Sequence, residues 1–246
     1  MGTPCVEVDQ TQSPFASFWD PRAQVRFEFH RPAEQPELWG QYLDGAVASY
    51  REHDVEEALD LAAIEDGRST ELFLTGLDHD GTVLCGLRVH GPLSSPFDAH
   101  VLGEFGGSRE VRTLLDNRLP HGVAEIRGCW VKSDASRRSE LSDGLARCFV
   151  HAMTLLDVQF SCCSAAVHAL GRWQGSGGQR IPGLASVPYP DDRYETTMLW
   201  WNRATVHRTA LPNQWRRICV ERAALHDFDG ARAITDRPLI GAVALH

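Results

Sequence analysis

The chain has 246 residues, of which 43% are hydrophobic and 23% charged, and a formal net charge of -9. That is enough apolar material for a core without covalent staples, and the acidic balance argues against a general nucleic-acid binder, whose affinity comes from many neutralised phosphates. No uncharged apolar run reaches the roughly 18 residues that span a bilayer. The start lacks a basic-then-apolar signal pattern, and seven cysteines without a C-x-x-C spacing fit a reducing cytoplasmic setting better than a disulfide framework or a zinc site.

Residues 1–24 carry Pro4, Pro14 and Pro21 among scattered aromatics and read as an irregular arm anchored by Phe15, Phe18 and Trp19. Val25, Phe27 and Phe29 then alternate with Arg26, Glu28 and His30, the period of a half-buried strand. Leu38, Tyr42, Ala46 and Val47 recur at helical spacing, and a second helical segment is expected from Val55 to Ile64. Leu72 to Leu77 and Thr82 to Val89 flank Asp78-His79-Asp80-Gly81 and predict a hairpin. Asp and Gly are what a tight turn needs, so this tetrapeptide is read as a turn and not as a metal site. The section from Gly91 to Pro120, with a helical Arg109 to Leu119, reads as an insertion.

Gly122 to Lys132 is the next strand, and Ser133 to Ser136 a polar break. Leu141, Leu145, Cys148, Phe149, Ala152, Leu155 and Leu156 then form one apolar stripe of a helix over 140–156. A strand that enters a polar loop opening a helix leaves backbone N–H groups free where the helix dipole favours an anion. Arg137 and Arg138 add cationic charge there. An ordinary connection with solvated arginines explains the same residues equally well. A buried strand over Val158 to Val167, a short helix over His168 to Trp173, and strands over Val187 to Pro190 and Tyr194 to Trp201 follow. Residues 204–246 read as a tail with one helix from Asn213 to Leu225.

This order of elements resembles the GNAT superfamily of N-acyltransferases over roughly Val25 to Asn202. The resemblance implies an α/β (α+β) fold: a central mixed, mostly antiparallel twisted sheet flanked by helices, with a helical insertion before the fourth strand. It frames the chain as an arm (1–24), an acyltransferase domain (25–203) and a tail (204–246). In that superfamily the loop after the fourth strand reads Arg/Gln-x-x-Gly-x-Gly/Ala and its amides hold the pyrophosphate of coenzyme A. Here Arg137-Arg138-Ser139-Glu140-Leu141-Ser142 stands at the matching place, with Glu140 and Ser142 replacing the glycines. A carboxylate beside a pyrophosphate repels it, and a side chain limits backbone approach. Gly86-Leu87-Arg88-Val89-His90-Gly91-Pro92, the insertion, and Glu125-Ile126-Arg127 further resemble the acyl-homoserine-lactone synthases and long-chain N-acyl amino acid synthases.

Along the strand, Glu125, Arg127 and Cys129 are expected on one face and Ile126, Gly128 and Trp130 on the other; in the hairpin, Gly86, Arg88 and His90 share a face. Ionised groups in mid-strand are either a structural ion pair or a working site. With the resemblance, the expected catalytic residues are Glu125 as the base for the attacking amine, Arg88 to orient Glu125 or an acceptor carboxylate, and Arg127 beside them. Backbone N–H groups near Trp130 and Val131 would polarise the thioester carbonyl, while Arg137, Arg138, Ser139, Leu141 and Ser142 would hold the donor. Many members of the superfamily protonate the leaving thiolate with a tyrosine after the fifth strand. That segment has His168 and Trp173 but no tyrosine here, so His168 would substitute as acid or simply be hydrogen-bonded, and Tyr194, the nearest later tyrosine, fits core packing better.

No metal and no tightly bound cofactor are expected; the donor is acyl-CoA or acyl-phosphopantetheine. An acidic acyl carrier protein presents one phosphodiester, which suits the altered loop, and Lys132, Arg137, Arg138 and Arg147 would form its landing patch. Val101, Leu102, Phe105, Leu114 and Leu115 would line an acyl pocket or simply pack. The expected partner is a small-molecule amine, with no nucleic acid and no membrane span, and a homodimer through the arm and tail is left open. The leading reading is an N-acyltransferase. The alternatives are an acetyl-CoA-dependent acetyltransferase and a non-catalytic module of the same fold, and the last predicts no pantetheine-sized cleft between the fourth and fifth strands.

Overall fold

The computed structural model describes residues 14–227. In chain order these are β1 (Ala16–Asp20), β2 (Val25–His30), α1 (Pro36–Arg51), a 3-10 turn (Glu56–Leu59), α2 (Leu61–Ile64), β3 (Leu72–Leu77) and β4 (Val83–His90). The insertion holds α3 (His100–Glu104) and α4 (Arg109–Asp116); β5 (Val123–Val131), α5 (Arg138–Leu155), β6 (Phe160–Ala166) and α6 (Leu170–Gly175) follow. The described chain closes with β7 (Gln179–Arg180), β8 (Val187–Pro188), β9 (Glu195–Asn202), α7 (Val206–Thr209) and α8 (Pro212–Asp227). No helix among these is long and apolar enough to cross a membrane.

The strands form one sheet in the order β1-β2-β3-β4-β5-β6-β9-β7, with β8 also on β9. Every pairing is antiparallel except β5 with β6. The fold class is therefore the expected mixed, mostly antiparallel sheet between helices, with the insertion in place. The expected fourth strand is β5, because residues 16–20 do not form an irregular arm. Between Pro14 and Pro21 lie the five residues of β1, all buried except Trp19, and these pair as an edge strand with β2. Asp20 then accepts from the Arg22 and Ala23 N–H groups to make the corner. At the other end, Ile218 and Leu225 of α8 pack into the same core as β1 and α5.

On one face of the sheet, Phe27, Phe29, Leu72, Leu74, Cys85, Leu87 and Val89 meet Leu141, Leu145, Cys148 and Phe149 of α5, as the two periodicities imply. The other face receives α1, whose Trp39, Tyr42 and Ala46 pack on Phe73. A third cluster joins the insertion to β5, β6 and β9: Val101, Leu102, Phe105 and Leu115 lie against Val123, Cys162, Met198 and Trp200. These insertion residues are core, not the wall of an acyl pocket. The expected second helix breaks into the 3-10 turn and α2, because Asp60 between them takes a left-handed conformation with φ 47°. The Asp78 carboxylate accepts from the Asp80 and Thr82 N–H groups, the turn chemistry expected of that tetrapeptide.

Candidate active site

β5 and β6 pair only through Val123–Phe160, Ala124–Ser161 and Glu125–Cys162, then separate. Between their diverging ends lies a cavity of about 420 Å³, walled by residues 126–131 of β5 and 163–166 of β6, with Arg88, Glu104, Arg138, Ser142, Tyr189 and Tyr194 around it. A cleft between the expected fourth and fifth strands is thus present, and its size falls in the range of small-molecule sites.

β5 does not run evenly beside it. Arg88 stands opposite Arg127 but Gly86 opposite Trp130, so β5 carries one extra residue at a bulge. Gly128 sits there at φ 56°, a left-handed backbone that favours glycine, and a Cβ on it would come 2.3 Å from the Tyr42 hydroxyl. That hydroxyl donates to the Gly128 carbonyl at 2.9 Å and so ties α1 to the bulge. The extra residue inverts the alternation beyond it. Trp130 turns toward α1, and Cys129 and Val131 join the α5 side, the reverse of strict alternation from Glu125.

The bulge also sorts the backbone donors. Lys132 donates its N–H to the Leu84 carbonyl, which makes Trp130, two residues earlier, a bonded position facing Gly86. Bonded and non-bonded positions alternate in an antiparallel ladder, so the Val131 N–H points away from β4 and toward the cleft. Of the two expected carbonyl-polarising amides, Val131 is the one so placed.

Glu125 is buried and both of its oxygens are taken. Oε2 accepts from the His100 N–H at 3.0 Å and Oε1 from the Val101 N–H at 2.8 Å, so this carboxylate caps the start of α3. It stands opposite His90, is absent from the cavity wall, and burial pushes its carboxyl above the ordinary range against the pull of Arg127. The expected convergence of Arg88 with Glu125 is replaced by Arg88 beside Arg127. Burial opposes the Arg127 charge, but the Glu125 and Glu104 carboxylates outweigh it and hold the guanidinium protonated more firmly than usual. Arg127 Nη1 lies 2.7 Å from Glu104 Oε1 and 3.6 Å from Glu125 Oε1.

Three residues of the cavity wall have buried polar atoms left over among the described residues: Arg88, Glu104 and Trp130, the last through its indole Nε1. Arg88 is 1% exposed and its Nε and Nη1 are buried without a hydrogen-bond partner among the described residues. Burial draws its guanidinium below the ordinary value, opposed by Tyr42. Glu104 Oε2 is likewise buried without a partner. Glu104 was not singled out from sequence: it closes a five-residue helix inside an insertion, and no periodicity marks it. Tyr189, another wall residue, falls in the expected strand from Val187 to Pro190, which in the structure ends at Pro188, and nothing in that segment's pattern marks it. Cys129 lines the cavity too, but burial pushes its thiol up to about 12, which leaves it protonated and a poor nucleophile.

Of the expected donor-binding residues, Arg138 and Ser142 reach the cavity wall. Leu141 is core, and its N–H is closed onto the Arg137 carbonyl, so it offers no amide to a ligand. Ser139 is engaged by Arg172, whose Nη1 also meets Asp143. Arg137 and Arg138 are exposed, and their guanidiniums donate to the Arg22 and Ser133 carbonyls, at 3.3 Å each. Arg147 is fully buried and cannot belong to a landing patch. The Tyr194 hydroxyl donates to the His53 carbonyl. The side chain of His168 lies outside those described.

Two mycobacterial proteins, described as uncharacterized, from Mycobacterium tuberculosis and Mycobacterium bovis, are each 43% identical to this chain over 223 residues, covering 89% of it and 85% of their own length. The chain belongs to their family. No protein-family model matches it. Among solved structures, the N-acyl amino acid synthase FeeM from uncultured soil microbes superposes with a TM-score of 0.53 at 12% identity, over 78% of this chain and 98% of that one. The fold is accordingly the GNAT fold of the N-acyltransferases.

Proposed function

We propose that this family member is an N-acyltransferase that moves an acyl group from a thioester donor to a small amine. The observation that carries this reading is the cleft opened by the divergence of β5 and β6, with the Val131 N–H directed into it. A pantetheine arm fits such a gap as an added strand does, by backbone hydrogen bonds along an exposed edge. Its thioester carbonyl would then meet a preorganised N–H donor where negative charge develops.

Arg88 supplies the second half. A buried guanidinium with two unpartnered nitrogens is costly unless a ligand completes it, and a carboxylate is the charge-matched partner. The acceptor is therefore a small amine that also carries a carboxylate. At the donor end, exposed Lys132, Arg137 and Arg138 flank Glu140, a combination that suits the single phosphodiester of acyl-phosphopantetheine, free or on a carrier protein, better than a pyrophosphate.

The test is thiol release from octanoyl-CoA and octanoyl-phosphopantetheine with the proteinogenic amino acids as acceptors and their carboxamides as controls. Release with amino acids, and an Arg88→Met variant whose KM for them rises about 10-fold or more while the carboxamides are little changed, is the expected outcome, since a charged hydrogen bond is worth about 1.5–3 kcal/mol. No thiol release by the wild type with any pair would sink the reading.

A further inference from the structure

The strand carboxylate that a GNAT-like sequence offers as a base is already spent on capping α3, so the amine still needs a proton acceptor. We propose that Glu104, carried into the cavity by the insertion, receives the ammonium group of the acceptor and takes its proton; this rests on the N-acyltransferase reading. Three observations converge on it. Glu104 lines the same cavity as Arg88 and Val131. Its Oε1 is held by Arg127 Nη1 at 2.7 Å, which fixes the side chain, at 5% exposure, in one orientation. Its Oε2 is buried and unpartnered, an arrangement whose desolvation cost a bound ammonium would offset.

Arg88 and Glu104 thus place an unpaired guanidinium and one unpartnered carboxylate oxygen on residues of the same wall, complementary to the two ends of a zwitterion. In the reaction the ammonium gives one proton to Glu104 Oε2, and the freed nitrogen lone pair attacks the thioester carbonyl carbon. The C–N bond forms, and the C–S bond breaks as the tetrahedral adduct collapses. The leaving thiolate takes up one of the two protons that the nitrogen loses, and the other passes from Glu104 to solvent. The insertion, absent from a minimal form of this fold, would then serve as the acceptor-specific half of the active site and not only as a cover over β5 and β6.

The experiment compares wild type, Glu104→Gln and Glu104→Asp for acceptor kcat/KM as a function of pH, at saturating octanoyl-phosphopantetheine. Wild type is expected to lose activity on an acidic limb set by one carboxylate. Glu104→Gln is expected to fall about 100-fold or more and to lose that limb, the scale of general-base removal. Glu104→Asp, which keeps the charge on a shorter arm, is expected to retain the limb at a reduced rate, and it decides the matter if the glutamine variant does not fold. An active wild type whose variants keep its rate and pH profile overturns the role of Glu104 alone. A wild type that releases no thiol overturns the transferase reading, and this inference with it.

Discussion

Two buried clusters of arginine and carboxylate in this protein are completed to different degrees. Between α5, α8 and β1, every nitrogen of the Arg147 guanidinium is engaged: Nε with Glu221, Nη1 with the Asp143 carbonyl and Gln214, and Nη2 with Asp20 at 2.6 Å. Arg217 closes on the same Asp20, and His151 on Glu221. Between β4, β5 and α3, Arg127 is paired with Glu104 and Glu125, yet among the described residues Arg88 keeps two unpartnered nitrogens and Glu104 one unpartnered oxygen. The first cluster fastens the C-terminal helix and the edge strand to the body. The second has the same residue types and similar burial, but Arg88 and Glu104, which carry its unpartnered atoms, also line a cavity. Burial of charge alone does not mark a site; burial without completion, at a cavity wall, does.

The sharpest way to break that comparison is to remove one arginine from each cluster. Arg147→Met leaves Asp20 to Arg217 and Glu221 to His151 and Arg217, and should still cost about 3–5 kcal/mol in urea denaturation, the scale of breaking a buried ion pair. Arg88→Met removes a charge that has no bonded partner and should cost far less stability, its effect falling on acceptor KM. Equal losses of stability would erase the distinction drawn between the clusters.

A smaller effect is expected at the bulge. Gly128→Ala places a methyl group against Tyr42 and a side chain on a left-handed backbone, and should cost about 1–3 kcal/mol by thermal or urea unfolding. Combining it with Tyr42→Phe should recover part of the loss, because the hydroxyl contact is relieved while the backbone strain stays.

The smallest effect is a slope with pH. Burial holds the fully buried His151 below the ordinary imidazole value despite Glu221, and burial with Arg127 and Arg88 nearby draws His100 down to about 3. The unfolded chain then binds these protons first, so stability should begin to fall as pH drops below the ordinary imidazole value of 6.5. Asp20 acts in the same direction at lower pH. Burial alone would raise its carboxyl, but the Ala23 N–H and the Arg147 and Arg217 guanidiniums prevail and hold it below the usual carboxylate range. The stability it contributes is present above its unfolded value and is lost as pH falls through the folded one. Urea midpoints measured from neutral to mildly acidic pH should decline, and His151→Gln should flatten the upper part of the decline.

The local periodicities were legible in sequence. The alternation in β2 and in the hairpin, the stripe of α5, the turn at Asp78 and the position of the insertion all follow from side-chain patterns that one element imposes on itself. Arg88 and Arg127 could likewise be singled out, because an ionised residue amid strand apolars is conspicuous wherever the chain goes. β1 was hidden by the prolines at its borders, since an edge strand of five residues is defined by its partner and not by its own composition.

What only the tertiary structure decided is which polar atoms remain free. One extra residue at Gly128 inverted the faces of β5 beyond it, a register effect that depends on β4 and Tyr42 across the sheet. Capping of α3 engaged the carboxylate that sequence favoured, Glu125, and the end of that same short helix brought Glu104 to the cavity with one oxygen to spare. Sequence determines which groups are present and what secondary structure they favour. Whether a given oxygen is bonded is settled by partners tens of residues away, and that decides which carboxylate is left for chemistry.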